Sequence, residues 1–236
     1  MTRVLYELAG AEEDRRFSPY CWRVRMALAH KGLDVDTRPW RFVEKPNIAF
    51  SGQDKVPVLI DEGRAIADSW AIATYLEDAY PDAPALFGGD KARHLARFVN
   101  NWADGVLQPA LLKTVIGDIF DHVHESDREY FRQSREARFG TTIESFRNER
   151  DRWFGEFRAV LAPLRATLSA QPYLGGDSQN YADYIVFGAF QFARCISPFP
   201  LLAADDPISL WRARLLESFD HLAGRAKGYS VPGTPS

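Results

Sequence analysis

Apolar positions along this chain change their period near residue 82. Before it they fall in short runs. Residues 4–9 place Leu5 and Leu8 around Tyr6; Leu33, Val35 and Thr37 alternate on the way to Trp40; Val56-Pro57-Val58-Leu59-Ile60 is almost continuous. Runs of this length and β-rich composition predict strands. Between the first two, residues 19–31 carry Trp22, Met26 and Ala29, flanked by Val24 and Leu28, at helical spacing. Ser18-Pro19 supplies a cap and a first-turn proline, and Gly32 after His30-Lys31 supplies the stop. Asp61-Glu62-Gly63-Arg64 predicts a hairpin with Ala65-Ile66 on its return. Asp68-Ser69 then opens a helix with Ile72, Leu76 and Ala79/Tyr80 on one face, closed by Pro81. Residues 41–54 show no clear period.

Beyond Pro81-Asp82-Ala83-Pro84 the spacing becomes helical throughout. Leu95, Phe98 and Trp102 repeat every three or four residues, as do Phe154, Phe157, Leu161, Leu164 and Leu168. Helices are predicted over 91–112, 142–169, 181–194 and 207–222. The highly charged stretch 113–140 reads as helix at first and then as loop, and 231–236 reads as a polar tail. The division is residues 1–82 as a small α/β unit with a mixed sheet, 83–90 as a linker, and 91–236 as an all-helical domain, an α+β chain.

Composition narrows the function classes. The chain has 236 residues, 46% of them apolar and 26% charged, as an ordinary globular protein does. A net charge of -3 leaves no electrostatic footprint for nucleic acid or an anionic membrane. Two cysteines, Cys21 and Cys195, are too few for a secreted disulfide scaffold. The N-terminus lacks a signal-peptide core, and no apolar run approaches the ~18 residues of a membrane span. The expectation is a cytoplasmic protein.

Chemistry concentrates at helix starts. Ser18 stands where a strand hands over to a helix N-terminus, with outward N–H groups and a dipole that favours an anion. Asp68-Ser69 is a second such place, suited to a carboxylate. Asn180-Tyr181-Ala182-Asp183 is a variant capping box with a folding role. Asp118, Asp121, His122, His124 and Glu125 have neither the spacing nor the cysteines of a metal site and read as a solvated acidic loop, so no metal is expected.

Four segments, Ser18-Pro19-Tyr20-Cys21-Trp22-Arg23, Lys55-Val56-Pro57-Val58-Leu59, Asp68-Ser69-Trp70-Ala71-Ile72-Ala73-Thr74-Tyr75-Leu76 and Tyr181-Ala182-Asp183-Tyr184, occur in an order and spacing that resembles the cytosolic glutathione transferases over nearly the whole chain. The first and third are most similar to the branch of bacterial β-aryl etherases and related fungal enzymes. The resemblance implies a thioredoxin-like N-terminal domain (β-α-β-α-β-β-α), a helical C-terminal domain and a homodimer. It implies glutathione as co-substrate, an apolar, aromatic electrophile as the second substrate, and attack on an electrophilic carbon or an ether linkage.

It also distributes roles. Ser18 would donate a hydrogen bond to the glutathione sulfur. Val56, before a cis Pro57, would present its backbone to the cysteinyl part, Lys55 would reach the glycyl carboxylate, and Asp68 and Ser69 would hold the γ-glutamyl end. Many relatives carry Glu or Gln where Asp68 stands, and the shorter acid reaches less far. Lowering a thiol from about 8.5 by roughly two units takes about 2.7 kcal/mol. A helix dipole supplies ~0.3–1 kcal/mol, about 2 when partly buried, and a hydrogen bond to a charged group about 1.5–3. The dipole alone falls short; with Ser18 it suffices. The plainer reading is that Ser18 only caps its helix. Tyr20, Trp102 and Val106 are the candidate wall for the second substrate, the latter two being equally good as core residues. Two rival functions stay open: a non-catalytic ligand-binding protein of this fold, and a thiol-disulfide reductase using Cys21.

Overall fold

The computed structural model describes residues 3–231, so Met1-Thr2 and residues 232–236 of the expected tail lie outside it. Strand β1 (Arg3–Leu8) leads through helix α1 (Pro19–His30) to β2 (Val35–Trp40), followed by a 3-10 helix (Lys45–Ser51), β3 (Val58–Asp61), β4 (Arg64–Ala67) and α2 (Ser69–Ala79). The four strands form one sheet in the order β2-β1-β3-β4, with β1 parallel to β2 and the other neighbours antiparallel. Leu5 pairs with Thr37 on one side and with Leu59 on the other. The β3–β4 hairpin turns at Glu62 and Gly63, both with positive φ, the backbone that its acidic-Gly signature predicts. This is the expected thioredoxin-like domain with one correction. The element between β2 and β3 is a 3-10 helix rather than an α-helix, ended by Gly52 in the left-handed region.

The helical domain comprises α3 (Asp90–Trp102), a π segment (Ala103–Leu107), α4 (Gln108–His122), α5 (Glu125–Phe139), α6 (Ile143–Asn148), α7 (Arg150–Val160), α8 (Ala162–Ala170), α9 (Tyr181–Ile196) and α10 (Pro207–His221). The stretch 113–140 is therefore helix almost throughout, broken only at Val123-His124, where the His124 side chain accepts from Ser126 N–H and caps α5. The single helix expected over 142–169 is three. Among the described residues no helix is long and apolar enough to cross a membrane.

Every residue of α9 except Arg194 is buried. Its start is fixed by the capping box: Asn180 accepts from Ala182 N–H, and the Asp183 carboxylate accepts from the N–H groups of Leu174, Gly175 and Asn180 and from Trp211 Nε1 on α10. From this axis α9 reaches both helix N-termini of the sheet domain. The Tyr181 hydroxyl donates to the Ser69 carbonyl at 2.8 Å at the start of α2. Gly188 lies so close to α1 that a Cβ there would collide with the Pro19 carbonyl.

Alanine in place of glycine inside a helix ordinarily stabilises by about 0.5–1 kcal/mol. Gly188→Ala is expected to do the reverse, costing about 1–3 kcal/mol as an overpacked contact against backbone, measurable by urea unfolding. A neutral or stabilising result would mean that α1 and α9 are not in this contact.

Candidate functional site

Ser18 caps α1 with extended backbone (φ -64°, ψ 126°), and its Oγ accepts from Cys21 N–H at 3.2 Å. Pro19 follows at the first helical position, and the first turn holds no acidic side chain to neutralise the dipole. Accepting engages one lone pair of the hydroxyl and leaves its proton to donate elsewhere. Capping and donation are thus compatible roles of one side chain. Ser18 lies on the wall of a cavity of about 450 Å³ between the sheet domain and α4, α5 and α9.

Tyr20, Lys55 and Val56 line the same cavity. The Val56–Pro57 bond is cis. Asp68 and Ser69 are not in its wall but stand at the start of α2. Asp68 has φ 78°, and its Oδ1 accepts from Trp70 N–H (2.9 Å) and Ala71 N–H (3.0 Å). The capping carboxylate therefore occupies two of the N–H groups expected to hold an incoming carboxylate. The Ser69 N–H and hydroxyl remain, and Asp68 Oδ2 makes no hydrogen bond among the described residues.

Trp102 and Val106 do not line the cavity. The π segment adds a residue to the turn and rotates α4 relative to α3. Asp104, Gln108 and Leu112 face the cavity instead. Leu95 and Phe98 on α3 point outward, 71% and 72% exposed, and Val106 is 44% exposed.

Two groups of site residues escape sequence reasoning. Arg23 on α1 is fully buried, donating to Asn100 Oδ1 at 3.0 Å and to Asp104 Oδ1 at 2.7 Å, while Asn100 donates to Asp104 Oδ2. Its guanidinium lies 4.7 Å from the Tyr20 ring centroid. Burial, with Asp104 nearby, pushes the Tyr20 hydroxyl above its ordinary pKa, so it stays a neutral phenol at neutral pH. The Asn100/Asp104 spacing of four was the available signal. The second group comes from α5. Buried Asp127 accepts from the N–H groups of Phe42 and Val43 and ties the loop after β2 to this helix. Phe42, Tyr130, Phe131, Arg135 and Arg138 thereby enter the wall. An acidic first turn (Glu125, Asp127) and Gly140 at the stop were the signals for α5.

Four of the five acidic and histidine residues considered for a metal site have separate partners, and Glu125 lies in the first turn of α5. Asp118 accepts from Arg150 and Ser197, Asp121 from Arg147; His122 Nε2 bonds the Tyr229 hydroxyl, and His124 caps α5. The described residues hold no cluster of three or more His, Cys, Asp or Glu suited to a metal ion.

Comparison with known proteins agrees with this fold. The family model described as "Glutathione S-transferase, N-terminal domain" matches residues 14–84, and "Glutathione S-transferase, C-terminal domain" matches 94–200. A probable glutathione S-transferase of Oryza sativa subsp. indica is 37% identical over 100 residues, 38% of this chain. The match spans 42% of that relative's length, less than half of it. Glutathione transferase GSTFuA3 of Phanerochaete chrysosporium superposes with a TM-score of 0.79 at 21% identity, covering 94% of this chain and 97% of its own. A glutathione S-transferase of Ceriporiopsis subvermispora, solved in complex with glutathione, gives 0.79 at 23% identity, covering 93% and 97%. At these identities the two structures speak for the fold.

The thiols take no part in the cavity wall. Cys21 is buried one turn into α1, its Sγ 3.9 Å from the Tyr6 carbonyl, and burial together with the Glu7 carboxyl pushes its pKa up to about 12. Burial also raises Cys195 to about 12. Neither is a thiolate at neutral pH. In native protein near pH 8, both are expected to react with an aromatic disulfide reagent only as fast as the protein opens, and both at once in denaturant. Immediate reaction of one thiol in the native state would contradict this and revive a redox role for Cys21.

Proposed function

The chain belongs to the glutathione S-transferase family, and from that premise we propose that it ionises the glutathione thiol beside Ser18 and delivers the thiolate to an apolar, aromatic electrophile in the adjoining cavity. The observation that carries this reading is the place of Ser18: a helix-capping hydroxyl whose proton is left to donate, on the wall of an aromatic-rich cavity that also holds Lys55 and Val56. The Cys21 N–H polarises the hydroxyl as it donates to the oxygen, which strengthens the bond that Ser18 gives to sulfur. Lys55 pairs with the glycyl carboxylate, the Val56 backbone aligns the cysteinyl unit, and Ser69 with Asp68 Oδ2 holds the γ-glutamyl end. Tripeptide binding then fixes the sulfur against the acceptor.

In the reaction the sulfur forms a carbon–sulfur bond and the leaving group departs with the electron pair. A β-aryl ether, which loses a phenolate, is one acceptor that this reading covers. A reductase reading would need Cys21 as thiolate, and its burial works against that. The setting we propose is the cytoplasm, with the protein as a homodimer that covers Leu95 and Phe98. Replacing both by Glu should then shift the sedimenting species from dimer to monomer, and an unchanged dimer would place the interface elsewhere.

Ser18→Ala tests the central step. Removing one hydrogen bond to a charged sulfur should lower turnover with 1-chloro-2,4-dinitrobenzene about tenfold to a hundredfold. Glutathione affinity should stay within a few-fold, and loss of the cap should cost about 1 kcal/mol of stability. Undiminished turnover in the folded variant would remove Ser18 from the mechanism. Glutathione binding by the wild type without turnover on any electrophile would favour the non-catalytic alternative.

A further inference from the structure

The cavity beside Ser18 holds positive charge that its own carboxylates do not neutralise. Both acids in its wall are committed elsewhere, Asp104 to Arg23 at 2.7 Å and Asp54 to Lys45 at 3.2 Å. Arg135 and Arg138 line the same wall, and neither forms an ion pair with an acid among the described residues. Arg135 is the better defined. Its guanidinium lies over two rings, 4.7 Å from the Phe131 centroid and 5.2 Å from that of Phe42. Nη1 donates to Ser134 Oγ at 2.8 Å, whereas Nε is buried without a hydrogen-bond partner.

A cation held among aromatic rings with an orphaned donor is costly, and such groups in native proteins call for an explanation. Stacking on Phe42 and Phe131 satisfies the faces of the guanidinium but not its edge, where the donors lie. That edge is a planar fork matched to a carboxylate. Burial also lowers the Arg135 pKa, as expected for a cation without a counter-ion. On the reading that the cavity takes the acceptor, we propose that the acceptor is an aromatic carboxylate, its anionic group paired with Arg135 and its ring packed against the aromatic wall. Lys55 is engaged by glutathione on the same reading, so the second anion falls to Arg135, with Arg138 adding to the local positive field.

The test compares 4-chloro-3-nitrobenzoate with its methyl ester, each rate divided by that of the uncatalysed reaction with glutathione. In both, the thiolate sulfur bonds to the ring carbon bearing chlorine, and chloride leaves with the electron pair. The wild type should favour the acid at least tenfold in kcat/KM. Arg135→Gln should lose at least ten times more activity on the acid than on the ester, mainly through KM for the acid, and Arg135→Lys should fall between. A parallel calorimetric titration with unreactive 4-nitrobenzoate and its methyl ester reads the same preference without chemistry. Acid preference in binding, with no turnover of either electrophile, would keep this inference and remove the transferase reading. Equal handling of acid and ester by the wild type would overturn it. So would an Arg135→Gln variant that weakens glutathione binding instead, or that raises the bound thiol pKa, since Arg135 would then serve the tripeptide.

Discussion

The structure hangs on one buried helix. α9 is enclosed on nearly every side, and a helix so enclosed must have its N-terminal donors satisfied from within. The Leu86 carbonyl takes the Tyr181 N–H and Asn180 Oδ1 takes the Ala182 N–H, while Asp183 ties the preceding loop and α10 to this end with four accepted hydrogen bonds, one of them from Trp211. Because α9 cannot shift without breaking that set, it serves as a fixed reference for the sheet domain. Gly188 admits the Pro19 carbonyl, and Tyr181 grips the Ser69 carbonyl. The first turns of α1 and α2 are thereby held in one frame, so two anion-favouring helix ends can act on a single ligand.

Electrostatics build on that frame. The α1 N-terminus carries no carboxylate of its own, so its dipole is available to a sulfur anion. The nearby acid, Asp104, is bound by Arg23 and Asn100, which keeps its charge from opposing a thiolate. Arg23 pairs with Asp104 across the two domains, with the Tyr20 ring beneath its guanidinium. A fully buried cation of this kind contributes little net stability but is expensive to misplace, which favours one docking of the domains over others.

Much of this was legible in the sequence because the signals were local. Caps at Ser18, Asp68 and Asn180, the Glu62-Gly63 turn and the stop at Gly32 each act over a few residues and appear as read. The features that were not legible depended on partners far along the chain. α5 hides its helical period because Tyr130 and Phe131 are nearly its only large apolar residues; its burial comes from Asp127 reaching the loop after β2. Trp102 and Val106 lie beside and within the π segment at 103–107, which brings Asp104, Gln108 and Leu112 to the cavity instead. Arg23 reads as a surface arginine until Asn100 and Asp104 are brought beside it. Arg135 becomes informative only once the cavity shows which acids it lacks.

The central claim is that bound glutathione is held as thiolate by a hydroxyl at a helix mouth, and its ultraviolet thiolate absorbance reports this directly. Titrated with pH on the wild-type protein, the bound thiol should ionise about two units below the free tripeptide in the same buffer. A midpoint equal to that of free glutathione would contradict the account at its root.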